Sequence, residues 1–367
     1  MKRILCIRPD NMGDILMSTP AIRALKETFR AHITLLTSSA GAAITPFIPE
    51  IDATIVFDAP WVQQPSTEVH PLHDVVQLLK LNRYDAAVIF TVYSQNPLPS
   101  VMLAYLAGIP VRLAYCRENP YQLLTHWLPD KEPYTLIRHQ VQRDLDLVAE
   151  LGAYTSRQTL SLKSDPQQWP RVKRKLQAAG VDLQQPWLVL HPGVSEVKRQ
   201  FPLQQWAAAT QLLTREMNMQ LVLTGNEQDT ALAAALQQQC GEGCFNLAGQ
   251  FSHAAFIALI AQCPLVLSVN TVTAHIAAAT GTPVVVLYAQ TNPQHTPWKA
   301  TSAVLYFDVP ETLRSRNEVI RFVHEYYPAQ PGPDATPGNV LAAVQALYQT
   351  RRPFAANNAL ASSSTIL

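Results

Sequence analysis

Short apolar runs alternate along this chain with stretches in which apolar residues recur every three or four positions. Arg3-Ile4-Leu5-Cys6-Ile7 predicts a first β-strand, and Asn11-Met12-Gly13-Asp14 a turn. Ile15, Ile22, Leu25 and Phe29 then fall at near-helical spacing, with Pro20 expected to tighten or kink the early part. Further strands are predicted over 33–37, 53–57 and 85–90, with a helix over 75–80. Strands that alternate with helices imply βαβ units and a parallel sheet. The polar, proline-punctuated stretch from Ser161 to Pro186 interrupts this alternation, and a second round follows it. Strands are predicted over 187–191, 220–225, 264–268 and 283–288. Trp206, Thr210, Leu213 and Met217 mark a helix face between the first two. The expected organisation is α/β, with two Rossmann-like doubly wound domains over 1–165 and 166–335. A C-terminal helix over 336–352 is expected to cross back to the first domain. The Ala/Ser/Asn-rich tail over 353–367 is expected to be frayed.

A length of 367 residues supports two domains of ordinary size. A hydrophobic fraction of 48% with only 15% charged residues describes a packed globular chain rather than a disordered one. Lys plus Arg number 28 against 27 Asp plus Glu, so no global charge selects nucleic acid, and any anion site must be local. The five scattered cysteines do not form a disulfide framework, which favours a reducing, cytoplasmic compartment. Cys240 and Cys244 lack a second pair at zinc spacing, so no metal site is expected. The apolar run at the N-terminus is too short for a signal peptide, and no stretch reaches the roughly 18 residues that span a bilayer. Peripheral contact with the inner membrane surface stays compatible with this pattern.

In open α/β sheets ligands bind beyond the carboxyl ends of the strands, so the loops that follow strands hold the candidate chemistry. Gly13 permits a tight or left-handed turn, and Asp14 lies at the helix start, either as a cap or as a cleft carboxylate able to deprotonate a hydroxyl. His191-Pro192-Gly193-Val194-Ser195, continuing to Lys198 and Arg199, offers backbone N–H groups, a hydroxyl and two cations. That set suits a diphosphate; a solvated basic loop is the plainer alternative. Glu227, after Thr224-Gly225, can accept from ribose hydroxyls or an adenine amine, or simply favour a helix N-terminus. Asn270, Thr271, Thr273 and His275 open a helix of small residues, where free N–H groups and hydroxyls form an anion site.

Together these loops resemble glycosyltransferase family 9, the heptosyltransferase family of lipopolysaccharide core assembly. The resemblance is carried by Ile4-Leu5-Cys6-Ile7-Arg8, Gly13-Asp14 and Thr19-Pro20-Ala21-Ile22. It continues in Thr271 to His275 and Gly281-Thr282-Pro283-Val284-Val285. It implies two Rossmann-like domains in a GT-B arrangement and an inverting, metal-independent transfer from an ADP-activated heptose, with no cofactor beyond the nucleotide-sugar substrate. By resemblance Asp14 is the general base, and Lys198 or Arg199 contacts the donor phosphates. Glu227 then binds the nucleoside, and Thr271 and His275 the diphosphate. The acceptor is a lipopolysaccharide-core or related glycan.

Two positions depart from the family pattern, which has Asp-Thr/Ser-Gly where this chain has Asn270-Thr271-Val272. The change removes a negative charge and puts a φ-restricted, bulkier residue at the helix start. Arg112, Arg117, Arg138, His139 and Arg143 cluster in sequence and are expected to face an anionic acceptor, with ordinary surface charge as the alternative. An epimerase-like sugar-nucleotide enzyme would want several cleft carboxylates or histidines, and only Asp14 is convincingly placed. Asn270 and Val272 would also suit an inactive nucleotide-sugar-binding protein. A nicotinamide-dependent dehydrogenase is disfavoured because the first strand–helix turn lacks Gly-x-Gly-x-x-Gly.

Overall fold

The computed structural model of this protein describes residues 1–62, 72–290, 293–326 and 333–350. The tail expected to fray over 353–367 and the last two residues of the helix expected over 336–352 lie outside the described residues.

Among the described residues, twelve strands form two six-stranded parallel sheets. The first comprises β1 (Arg3–Ile7), β2 (His32–Thr37), β3 (Ala53–Val56), β4 (Ala86–Ile89), β5 (Val111–Cys116) and β6 (His126–Pro129) in the order 3-2-1-4-5-6. The second comprises β7 (Trp187–His191), β8 (Gln220–Leu223), β9 (Cys244–Asn246), β10 (Val266–Val269), β11 (Val284–Tyr288) and β12 (Ser302–Tyr306). Its order, β9-β8-β7-β10-β11-β12, repeats the first, and both follow the Rossmann order. The helices are α1 (Met12–Phe29), α2 (Ser39–Ala42), α3 (Leu72–Asn82), α4 (Leu98–Leu106), α5 (Gln140–Ala149), α6 (Trp169–Ala178), α7 (Leu203–Met217), α8 (Thr230–Cys240), α9 (His253–Gln262), α10 (Val272–Thr280), α11 (Glu318–Tyr326) and α12 (Pro337–Thr350).

Burial of both sheet faces explains the unbroken apolar runs. Ile4 and Cys6 pack on the side of α1 and α5, whereas Leu5 and Ile7 pack under α3 and α4. In the second sheet Trp187 and Val189 face α6, α9 and α10, while Leu188 and Leu190 face α7, α8 and α12. The layer containing α1 and α5 is continuous with the layer containing α9 and α10, so the two halves share one apolar core along their seam.

Several local expectations change. The helix α1 runs unbroken through Pro20, which cannot donate to the Leu16 carbonyl. The Thr19 hydroxyl donates to that carbonyl instead, at 2.6 Å. Gly13 lies in the first turn of α1 and has no positive φ, so its lack of a side chain serves packing. The helix α12 stays with the second half, placing Val340 and Val344 in the core beneath α7, because its apolar face matches that sheet. The helix that reaches the first half is α11, whose Val319 and Val323 pack with Tyr93 and Ile137. Cys240 and Cys244, predicted to be unpaired, are joined as a disulfide. The positive-φ glycines Gly241 and Gly243 turn the chain tightly enough to bring their Cα atoms within 6.3 Å. Cys6, Cys116 and Cys263 are buried and lie outside this bridge. Among the described residues no helix is long and apolar enough to cross a membrane.

Candidate functional site

Two helix starts meet across the seam. Both α1 and α10 begin where a central strand ends, and neither N-cap, Asn11 or Thr271, closes its helix with a side-chain hydrogen bond. The first turns therefore keep N–H groups and a partial positive charge free to face a ligand. The two ends approach closely. A Cβ on Gly13 would lie 3.1 Å from Cδ2 of His275 and 3.8 Å from Cα of Val272. A side chain at Gly13 would press on the His275 ring, which would have to give by a few tenths of an ångström. Val272 sits at the first helical position after an extended Thr271 (φ −138°), where a β-branched residue is tolerated. The bulk expected to disturb this turn is accommodated without a left-handed backbone.

Around these helix starts lies a cavity of about 350 Å³. From the first half it is lined by Asn11, Gly13 and Asp14. From the second it is lined by Gly193, Ser195, Arg199, Asn270, Thr271 and His275. Most of the residues singled out from the sequence thus converge. Lys198 lines an adjoining chamber of about 130 Å³, which Arg199 and Asn270 share with the main cavity. Arg199 is therefore the cation of that pair that faces the Asp14 side. Both cations are paired with Glu196 at 2.6 Å. Thr273 is buried behind the helix start with its hydroxyl unpartnered. Glu227 is exposed beyond the cavity wall, where Asn226 and Asp229 stand instead.

Asp229 explains both glycines of the donor-side loops. A Cβ on Gly193 would fall 2.3 Å from the Asp229 carboxyl carbon, and one on Gly225 would fall 2.5 Å from its Cβ. Asp229 fills that gap and accepts from the Asn226 N–H at 2.8 Å, completing a capping box with Asn226.

Asp14 is held by Arg8, whose guanidinium donates to it at 3.2 Å and pairs with Asp10 at 3.0 Å. Burial pushes the Asp14 carboxyl up. The positive charge of Arg8 and its hydrogen bond outweigh that and leave it below the usual carboxylate range. Asp10 has the opposite balance: burial dominates and raises it to about 6 despite Arg8. The histidines of the cavity stay neutral for the same reason. Burial lowers His275 to about 3, and His191 and His295 to about 4. Asp229 and His295 had no local signal in the sequence, and Arg8 and His191 stood out there only as the ends of strands. Each is recognisable only by what faces it across the fold.

The arginines expected to face an acceptor do otherwise. Arg143 is wholly buried and donates to Asp130 at 2.6 and 2.8 Å and to Glu132 at 3.1 Å. Arg138 donates to Glu132, Asp146 and Tyr115. Arg112 donates to the carbonyls of Ile109, Gln122 and Leu123. Arg117 lies over the Tyr93 ring, 4.9 Å from its centroid, with Glu318 of α11 at 3.9 Å. Buried carboxylates claim the first two because an unpaired buried charge costs several kcal/mol. Their partner Glu132 also accepts from Gln294 across the seam at 2.9 Å, and His139 bonds the Thr296 carbonyl at 2.8 Å. The cluster therefore ties the halves together. Among the described residues no group of three His, Cys, Asp or Glu is arranged to hold a metal.

Comparison with known proteins agrees with this geometry. The model of glycosyltransferase family 9 (heptosyltransferase) matches residues 72–318. The chain is 25% identical to lipopolysaccharide heptosyltransferase 2 of Escherichia coli strain K12, over 94% of this chain and 98% of that protein. Its fold is similar to a family 9 glycosyltransferase from Veillonella parvula, with a TM-score of 0.75 and 17% identity over 95% of this chain and 98% of that one. It is also similar to the E. coli ADP-heptose lipopolysaccharide heptosyltransferase II, with a TM-score of 0.69 and 22% identity over 95% and 99%. The two Rossmann-order sheets facing across a cleft form the GT-B fold, and the chain belongs to glycosyltransferase family 9, the heptosyltransferase family.

Proposed function

We propose that this enzyme is an inverting, metal-independent heptosyltransferase that uses ADP-heptose, with Asp14 as general base and a hydroxyl of a lipopolysaccharide-core glycan as acceptor. The observation that carries the reading is the meeting, in one cavity, of the Asp14 carboxylate with the uncapped start of α10 and with Arg199. The E. coli protein of similar fold is named for ADP-heptose, and that donor is carried over to this chain.

In this reading the diphosphate lies against the helix starts and Arg199, which balance its charge without a metal or cofactor. Asn270, Thr271 and Ser195 supply further donors, and the Gly193 loop lets the chain approach. The nucleoside extends toward the Asn226–Asp229 turn and Glu227. The acceptor hydroxyl stands beside Asp14 on the opposite face of the sugar. Its oxygen attacks the anomeric carbon while its proton passes to Asp14. The bond from that carbon to the diphosphate oxygen breaks, its electron pair stays on the diphosphate, and the configuration inverts. Arg8 keeps Asp14 ionised and oriented. General-base assistance of this kind contributes roughly 100- to 10,000-fold. The enzyme would work in the cytoplasm, where the sugar nucleotide is available, with peripheral contact to the inner membrane surface that carries the acceptor.

The donor is tested by thermal shift with ADP-, UDP- and GDP-sugars. A ligand at about 100 times its Kd stabilises by about 2.7 kcal/mol. Stabilisation by ADP-sugars alone is the expected result; a larger shift with UDP- or GDP-sugars would reassign the base.

A further inference from the structure

His295 stands at the wall between the two chambers of the site. It lines the main cavity together with Asp14, and the smaller chamber together with Lys198 and Arg199. Its Nε2 is shut from bulk water and has no hydrogen-bond partner. An unsatisfied buried nitrogen is uncommon, and at a cavity wall it marks a place where a ligand atom completes the bonding.

The residue is also held unusually firmly for a loop position. Gln294 before it donates to the buried Glu132 of the first half. The carbonyl of Thr296 after it bonds His139, again of the first half. Its own carbonyl accepts from the Tyr288 hydroxyl at 2.5 Å. Three anchors, drawn from both halves, fix the backbone from which the ring projects.

We infer that His295 contacts the substrate: its Nε2–H donates to the diphosphate of the bound nucleotide-sugar, beside the bond that breaks. This rests on the nucleotide-sugar reading of the cavity given above. Asp14 marks the acceptor side and Arg199 the phosphate side, and His295 lines the same cavity as both. When the bond from the anomeric carbon to the diphosphate oxygen breaks, the electron pair stays on that oxygen. A neutral N–H beside it then stabilises the added charge without giving up its proton.

The test is titration calorimetry of the full-length protein with ADP and AMP, on wild type and on His295→Ala, His295→Leu and His295→Gln. The leucine variant keeps bulk without a donor and carries the test if the alanine variant unfolds. A hydrogen bond to a charged group is expected to make ADP bind roughly tenfold more weakly to the alanine and leucine variants. Glutamine should stay within about threefold of wild type because its amide N–H can reach the same oxygen. AMP, which lacks the second phosphate, should change less than about twofold. Unchanged ADP affinity in the alanine or leucine variant, or equal losses for ADP and AMP, would overturn the assignment. A wild-type protein that bound no nucleoside diphosphate would overturn the reading of the cavity and this contact with it.

Discussion

Replacing Gly193 by alanine tests whether the donor-side loop is built around Asp229. The added Cβ would lie 2.3 to 2.4 Å from three atoms of the Asp229 carboxylate, about 1 Å inside ordinary contact. The shortest relief is rotation of Asp229 toward the cavity, which breaks its 2.8 Å bond from the Asn226 N–H and the capping box at that turn. A hydrogen bond to a charged group and a cap are each worth on the order of 1–2 kcal/mol, so the expected loss is about 2 kcal/mol. For a domain of this size that corresponds to a fall in Tm of roughly 4–8 °C by scanning calorimetry. The donor KM should rise as well, because the displaced carboxylate would stand where the diphosphate binds. Removing Asp229 first should make the alanine harmless. Gly193→Ala in an Asp229→Ala background is therefore expected to cost less than about 0.5 kcal/mol, a strong departure from additivity. A Gly193→Ala protein with unchanged Tm, or an effect that persists in full without Asp229, would refute the steric account.

Arg143→Ala should destabilise by about 3–5 kcal/mol, since it strands Asp130 as a buried charge without its cation and leaves Glu132 with Arg138 alone; unchanged thermal stability with a raised acceptor KM would restore the acceptor role instead. Desolvation pushes the buried His275 down to about 3, and the half-buried His139, His191 and His295 down to about 4, from the ordinary 6.5. Because these values are depressed, the stabilisation is fully present above pH 6.5 and is lost as pH falls toward 4. Tm measured from pH 7.5 to 4.5 should drop accordingly, and His191→Gln should flatten the curve if His191 contributes. Glu196→Gln should tighten ADP binding by about two- to fivefold at low salt, as it frees Lys198 and Arg199 from an exposed pairing of small net worth; weaker binding would mean that Glu196 itself contacts the ligand.

The central strands were legible because both faces are covered and their runs are almost wholly apolar. The strands β5, β6, β9 and β12 were not. In β5, Arg112 and Tyr115 break the pattern. In β6, His126 and Pro129 flank only two residues, and β9 has three in all. Gly13, Asp14, Gly193, Arg199, Asn270 and Thr271 could be found because they follow strands, where chain topology alone exposes them. Arg138 and Arg143 were misplaced because a charged residue reads as surface unless its partners are known. Their partners Asp130 and Glu132 arrive from a neighbouring strand end and loop. For Arg8 the sequence offers only the end of a strand, and the carboxylates that define it are a property of the fold.

The most direct test of Asp14 as the base is Asp14→Asn, assayed for sugar transfer and nucleotide binding on one preparation. The substitution keeps the shape and the Arg8 contact but removes the proton acceptor. Turnover should fall by at least about 100-fold while ADP affinity stays within about threefold of wild type. Near-normal turnover by Asp14→Asn would contradict the assignment.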